Sequence, residues 1–160
     1  MADGQPAAGV GPVLAVDVGQ RRTGVAVSDP LRVTPRPLEV IEGGGVEAGV
    51  RRIGDLVRDL GVTTVVVGLP LLPSGDEGDQ ALYVRGFVAA LRAGLSVPVE
   101  LWDESYSTLE AARRRRDRAS RQRGPLDAEA AAVILEEWLR EQEYRPPRDH
   151  GGGTTQAAGA

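Results

Sequence analysis

Val13-Leu14-Ala15-Val16-Asp17-Val18, closed by Gly19, is the stretch whose reading decides the fold. A short apolar run that stops at a glycine suits a strand covered on both faces. Gly24-Val25-Ala26-Val27-Ser28 reads as a second strand, reached through a turn holding Gln20, Arg21 and Arg22. So short a connection implies an antiparallel hairpin. A third stretch, Thr34 to Ile41, contains Pro35 and Pro37 and is an edge or irregular strand.

The period then changes. Val46, Val50, Ile53, Leu56, Val57 and Leu60 follow helical spacing, with Gly61 as a C-terminal stop. Thr63 to Val67 is a β-branched central strand, broken by the loop Gly68 to Gly75. A helix from near Asp79 to Ala93 is expected to bury Leu82, Phe87, Val88 and Leu91, and Val97 to Trp102 forms the next strand. Ser107-Thr108-Leu109-Glu110 has the capping-box form and opens a helix into an arginine block. Asp127 is placed to cap a last helix carrying Ala131, Ile134, Leu135, Trp138 and Leu139. This order implies an α/β fold with a mixed five-stranded sheet flanked by helices. Its first three strands are antiparallel and the later ones parallel.

Composition narrows the chemistry. The 160 residues suit one domain, expected over 13–144, with flexible tails at 1–12 and 145–160. There is no cysteine, and the one histidine, His150, falls in the C-terminal tail. Disulfides, cysteine zinc sites and thiol nucleophiles are thereby excluded, and so are histidine triads unless His150 folds back from the tail. All 19 basic residues are arginine, which removes lysine Schiff bases and the Walker lysine. What remains is carboxylates, hydroxyls, arginine, backbone groups or a hard metal ion. The N-terminus lacks the features of a signal peptide, and no run approaches the roughly 20 residues of a membrane span. A soluble, cytoplasmic protein with no membrane partner is expected.

Three carboxylates stand where chemistry could use them. Asp17 interrupts an apolar strand and shares a face with Ala15 and Gly19. A carboxylate there needs a hydrogen bond, an ion pair or a metal, although nearby turn amides would also satisfy it. Glu104 lies just past the end of a strand, where ligand sites gather in parallel sheets, or else is a solvated acid near a helix start. Asp127 alone is most simply an N-cap. Together the three would repel one another, by about 4 kcal/mol per pair at ~4 Å and an effective dielectric of ~20. A divalent cation removes that penalty, and all-oxygen ligation points to Mg²⁺ or Mn²⁺. Phosphodiester hydrolysis suits such a site.

The residues resemble the YqgF/RuvX family of RNase H-like nucleases, described as candidate pre-16S rRNA nucleases and as relatives of Holliday junction resolvases. Leu14-Ala15-Val16-Asp17-Val18-Gly19 with Gly24-Val25-Ala26-Val27 is similar to the family's first hairpin. Val65 to Leu71 is similar to its central strand and loop. Asp103-Glu104 with Ser107-Thr108 resembles its acidic motif, and Leu126-Asp127 with Ala130 to Glu136 its final helix. The resemblance implies an RNase H-like fold with Asp17, Glu104 and Asp127 as catalytic and metal-holding residues. It also implies maturation of the 5′ end of 16S rRNA within a pre-ribosomal particle, or cutting of branched DNA. The chain departs from the family pattern at Ser105, where Arg is common, at Leu72, where Asn is frequent, and at Pro125-Leu126, where Lys is common.

Residues 113–123 hold seven arginines and one aspartate, a local charge of +6 that leaves −10 on the remainder. Arg113, Arg114, Arg115, Arg116, Arg118, Arg121 and Arg123 form a candidate strip for phosphate contacts; the plain alternative is a solvated helix face. Two rival functions stand beside the nuclease. One is a nucleic-acid or pre-ribosome binding module without catalysis. The other is a sugar-kinase-like ATPase, which needs two such domains where 160 residues allow one. Cutting both strands of a symmetric junction would call for a homodimer.

Overall fold

The computed structural model describes residues 10–103 and 126–144. Five strands form one sheet: β1 (Val13–Val18), β2 (Arg22–Ser28), β3 (Pro35–Glu42), β4 (Thr64–Leu69) and β5 (Val99–Asp103). Their order is β3-β2-β1-β4-β5. β1 pairs antiparallel with β2, and β2 with β3, whereas β4 runs parallel to both β1 and β5. The mixed sheet expected from the sequence is therefore the observed one. The helix expected from Ser107 lies outside the described residues.

Alternation along β1 divides the core. Leu14, Val16 and Val18 face one side with Val25, Val27, Val65 and Val67, under α1 (Gly45–Leu60) and α2 (Asp79–Gly94). Val13 and Ala15 face the other with Ala26 and Val66, under α3 (Leu126–Tyr144). α3 contributes Ala131, Ile134, Leu135, Trp138 and Leu139, the stripe read from the sequence. By the same alternation Asp17 belongs to the α3 side.

Several details differ from the sequence reading. β4 continues through Gly68 to Leu69, because Gly68 and Leu69 pair with Trp102 and Asp103 of β5. Leu82 is 62% exposed, whereas Phe87, Val88 and Leu91 are buried as expected, together with Ala81 and Val84. Leu82 stands one residue, about 100° of rotation, off that stripe. β3 is the expected edge strand, and its register to β2 slips between Val25 and Ala26. Upstream of β1, the N–H of buried Gly11 donates to the Pro30 carbonyl at 3.0 Å, and Pro12 accepts from the Thr63 N–H at 2.9 Å. Residues 1–9 and 145–160 lie outside the described residues.

The end of the sheet that carries the β2–β3 turn is stapled by side chains. The Asp29 carboxylate accepts from the backbone N–H of Thr34, Val33 and Leu31 at 2.6, 2.8 and 3.2 Å. These bonds, that from Thr34 foremost, hold its pKa below the ordinary carboxylate value. Arg32, left-handed at φ 60°, donates to the Gly11 carbonyl and Thr63 Oγ1 and lies 5.8 Å over the Trp138 ring. Trp138 Nε1 in turn donates to Glu100 Oε2 at 3.0 Å. Trp138 is thus a core residue, as its spacing suggested. Trp102 packs against the same cluster, and its buried Nε1 has no acceptor among the described residues.

Candidate active site

The candidate site lies at the opposite end, at the carboxyl ends of β1 and β4. A cavity of about 360 Å³ opens there. Asp17, Val18 and Gly19 line it from the end of β1, Arg22 from the start of β2, and Pro70 to Leu72 from the segment after β4. The first turns of α2 and α3 close it, with Gly78 to Ala81 and Asp127. Ligands in open α/β sheets gather at this position, beyond the carboxyl ends of parallel strands.

Asp17 and Asp127 are brought together by a glycine. Asp17 lies directly opposite Gly24 in the β1–β2 ladder. Opposed residues of a ladder share a face, so a side chain at Gly24 would stand beside that of Asp17. A Cβ built at Gly24 overlaps the Asp127 carbonyl oxygen and comes within 2.8 Å of the Ala128 nitrogen. The first turn of α3 therefore rests on bare backbone at Gly24, next to Asp17. The glycine serves close approach here; its φ is not in the left-handed range.

Asp127 was expected as the N-cap. The helix already includes Leu126, so Asp127 belongs to its first turn, where the macrodipole favours a negative charge. α2 is placed from the other side of the sheet: Gln80 Nε2 donates to the Val18 carbonyl at 3.0 Å, tying its first turn to the end of β1. Gly19 is required by the turn into β2, where an added Cβ would strike the Arg22 carbonyl. Arg22 Nε lies 3.4 Å from Glu42 Oε1, its register partner on β3, and both side chains are exposed.

The lining carries three acids, Asp17, Asp79 and Asp127, and one cation, Arg22. Sequence reasoning named the first and third and missed Asp79, Gln80 and Arg22 as site residues. One signal was available for Asp79: it follows a Gly/Pro-rich loop at the end of the central strand, where a site belongs. Glu104 follows directly on Asp103 but lies outside the described residues, as do Arg113 to Arg116, Arg118, Arg121 and Arg123. Among the described residues, no three Asp, Glu, His or Cys side chains form a group able to hold a metal ion. No described helix is long and apolar enough to cross a membrane.

Comparison with known proteins agrees with this architecture. T. thermophilus RuvC, solved in complex with a Holliday junction substrate, superposes with a TM-score of 0.56 at 18% identity, over 82% of this chain and 95% of that one. That likeness shows the fold, the RNase H-like arrangement expected above. A protein of Anaeromyxobacter dehalogenans (strain 2CP-C) named "Putative pre-16S rRNA nuclease" is 47% identical over 129 residues, covering 79% of this chain and 94% of the relative. One of the same name from Pelotomaculum thermopropionicum is 42% identical over 144 residues, 88% and 93% of the two chains. The model of the RuvX family, described as Holliday junction resolvase, matches residues 11–141. That span runs from Gly11, ahead of β1, to the last turns of α3 and takes in every described wall of the cavity, so the chain belongs to the RuvX family.

Proposed function

We propose that this chain is a nuclease that hydrolyses phosphodiester bonds of structured nucleic acid with the help of a divalent metal ion. Its physiological task is processing of the 5′ end of pre-16S rRNA in the cytoplasm, on the pre-ribosomal particle. The observation that carries the reading is the seating of α3 on Gly24, which puts Asp17 and Asp127, from the two ends of the domain, on one cavity. The relatives named as pre-16S rRNA nucleases support the choice of substrate.

The donor set fits a hard cation. The two carboxylates offer oxygen only, and the chain has no cysteine and a single histidine, His150, outside the described residues. Mg²⁺ or Mn²⁺ is the ion of choice, held by Asp17, Asp127 and, as third ligand, Glu104. Glu104 follows Asp103, the last residue of β5, in the sequence. When bound, the ion supplies an activated water and charge neutralisation at the leaving oxygen. The chain's own contribution is rigidity. Asp17 is fixed within a strand paired on both sides, and Asp127 by a helix locked into the core. The arginines at 113–123 contribute contacts to the phosphate backbone, which give affinity and little sequence information.

The test is a cleavage panel of rRNA precursor, single strand, duplex and four-way DNA junction, each with Mg²⁺ and Mn²⁺. Metal-dependent cleavage of the rRNA precursor, lost in Asp17→Asn and in Asp127→Asn, is the expected outcome. Retention of full cleavage by Asp17→Asn would refute the assignment of the site. Cutting of the junction alone would move the function to branched DNA, where a homodimer would supply paired sites.

A further inference from the structure

Val10, Leu31, Val33, Leu60, Leu72 and Leu82 are the large apolar side chains exposed among the described residues. Of these, Leu72 alone lines the acidic cavity. It is also held in place. Its N–H donates to the Asp76 carbonyl at 2.8 Å and its carbonyl accepts from the Gly75 N–H at 2.8 Å. Its side chain lies against Gly78 at the start of α2, where an added Cβ would come within 3.1 Å of it. Pro70 and Leu71 continue the wall. The cavity thus combines three chemistries: carboxylates, one guanidinium and a fixed apolar wall with Leu72 47% exposed.

We propose that this cavity receives one unpaired nucleotide of the substrate, its phosphate on Arg22 and its base or sugar face against Leu72. The chain then selects strands that are unpaired at the cut. This rests on the nuclease reading above and adds a substrate class to it. In a duplex, each base has its faces covered by its neighbours, so an apolar wall offers it nothing. An unpaired nucleotide leaves the stack at the lowest cost and gains from the wall. Size agrees: about 360 Å³ is near the lower end of the roughly 300–1,000 Å³ of small-ligand pockets, room for a nucleotide and not for a helix. Charge agrees as well. Arg22 is the sole cation among the described lining residues and can grip a phosphate through two N–H groups.

The experiment compares a fully paired hairpin, the same hairpin with one unpaired nucleotide, and a single strand, in RNA and in DNA, with Mn²⁺ present. Wild-type protein should cut beside the unpaired nucleotide about tenfold faster than within the paired stem. Leu72→Ser should reduce that preference about fivefold, while Leu72→Met, which restores an apolar contact, keeps it. Arg22→Ala should raise KM about tenfold on the single strand and on the hairpin with an unpaired nucleotide, and Arg22→Lys should recover part of the loss. Equal cutting of paired and unpaired sites, a preference untouched by Leu72→Ser, or an unchanged KM in Arg22→Ala would each overturn the inference and leave the nuclease reading standing. No cleavage of any substrate by the wild type would sink both.

Discussion

Replacing Gly24 by Ala tests how the site is assembled without touching a carboxylate. The added methyl would overlap the Asp127 carbonyl oxygen and stand 2.8 Å from the Ala128 nitrogen, against 3.4–4 Å for ordinary contact. Neither neighbour is the end of a flexible side chain; both are backbone of α3. The helix cannot swing away freely, because Ile134, Leu135 and Trp138 lock it into the core. The first turn must therefore retreat by about 1 Å, an overpacking that costs about 1–3 kcal/mol. The expected loss of Tm is about 3–10 °C. Because Asp127 moves and Asp17 does not, cleavage should fall by about 100-fold, the scale of a ~1 Å misplacement in a catalytic constellation. Both readings come from one preparation, a thermal melt and a cleavage time course on rRNA precursor. Gly86→Ala is the control: it is a helical glycine with nothing within 4 Å of an added Cβ. Its replacement should be neutral or stabilise by up to about 1 kcal/mol with activity unchanged. A Gly24→Ala protein that melts within about 1 °C of wild type and cleaves within about twofold of it would refute the close seating of α3 as what joins the two carboxylates.

Three further outcomes follow from other parts of the molecule. Asp29→Ala removes the acceptor for three turn N–H groups and should lower Tm at neutral pH. Since the folded pKa of Asp29 is depressed, its stabilisation is full above the unfolded value. The gap between wild type and variant should close only as pH falls below about 3.8 and through the folded pKa, and a gap constant down to pH ~2 would contradict this. Trp138→Phe keeps the aromatic body but loses the 3.0 Å bond to Glu100, and urea melts should show a loss of about 1 kcal/mol; no loss would mean the bond contributes nothing net. Replacing Arg113 to Arg116 by Ala should weaken binding to all nucleic acids and flatten its log–log salt slope by up to about 3, whereas an unchanged slope returns the block to a solvated surface.

What was legible in the sequence depended on whether a residue's role was visible in its own neighbourhood. Asp17 stood out because it breaks an apolar strand, and the stripe of α3 because five large or small apolar residues recur at helical spacing. Leu82 misled because bulk alone suggested burial. In α2 the inward position beside it goes to Ala81, and composition does not say which of two adjacent apolar residues turns in. Gly68 read as a loop because glycine weakens a strand, yet pairing with Trp102 extends β4 through it. Gly24 gave no sign at all of its task. What makes it necessary is a carbonyl oxygen more than a hundred residues away in sequence, and no local pattern encodes that contact. Arg22 and Asp79 are hidden for the same reason: each is an ordinary charged residue at the edge of an element until the cavity gathers them.

The distribution of charge constrains how such a cavity can act on a polyanion. Its described lining carries three acids and one arginine, so the carboxylates work against the hold of Arg22 on an approaching phosphate. On the proposed reading, a divalent cation held by Asp17 and Asp127 offsets that charge. Attraction beyond that of Arg22 has to come from elsewhere. The +6 of residues 113–123, set between Glu104 and Asp127 in the sequence, is of the right sign and size to supply it. Removing the divalent ion should therefore do more than stop the chemistry: it should weaken binding of the scissile phosphate while contacts to the flanking backbone persist. A substrate held by its flanks but excluded from the cavity would footprint along its backbone and stay open at the cut. Such a pattern would separate the arginine contribution from that of Asp17 and Asp127 in a single binding experiment.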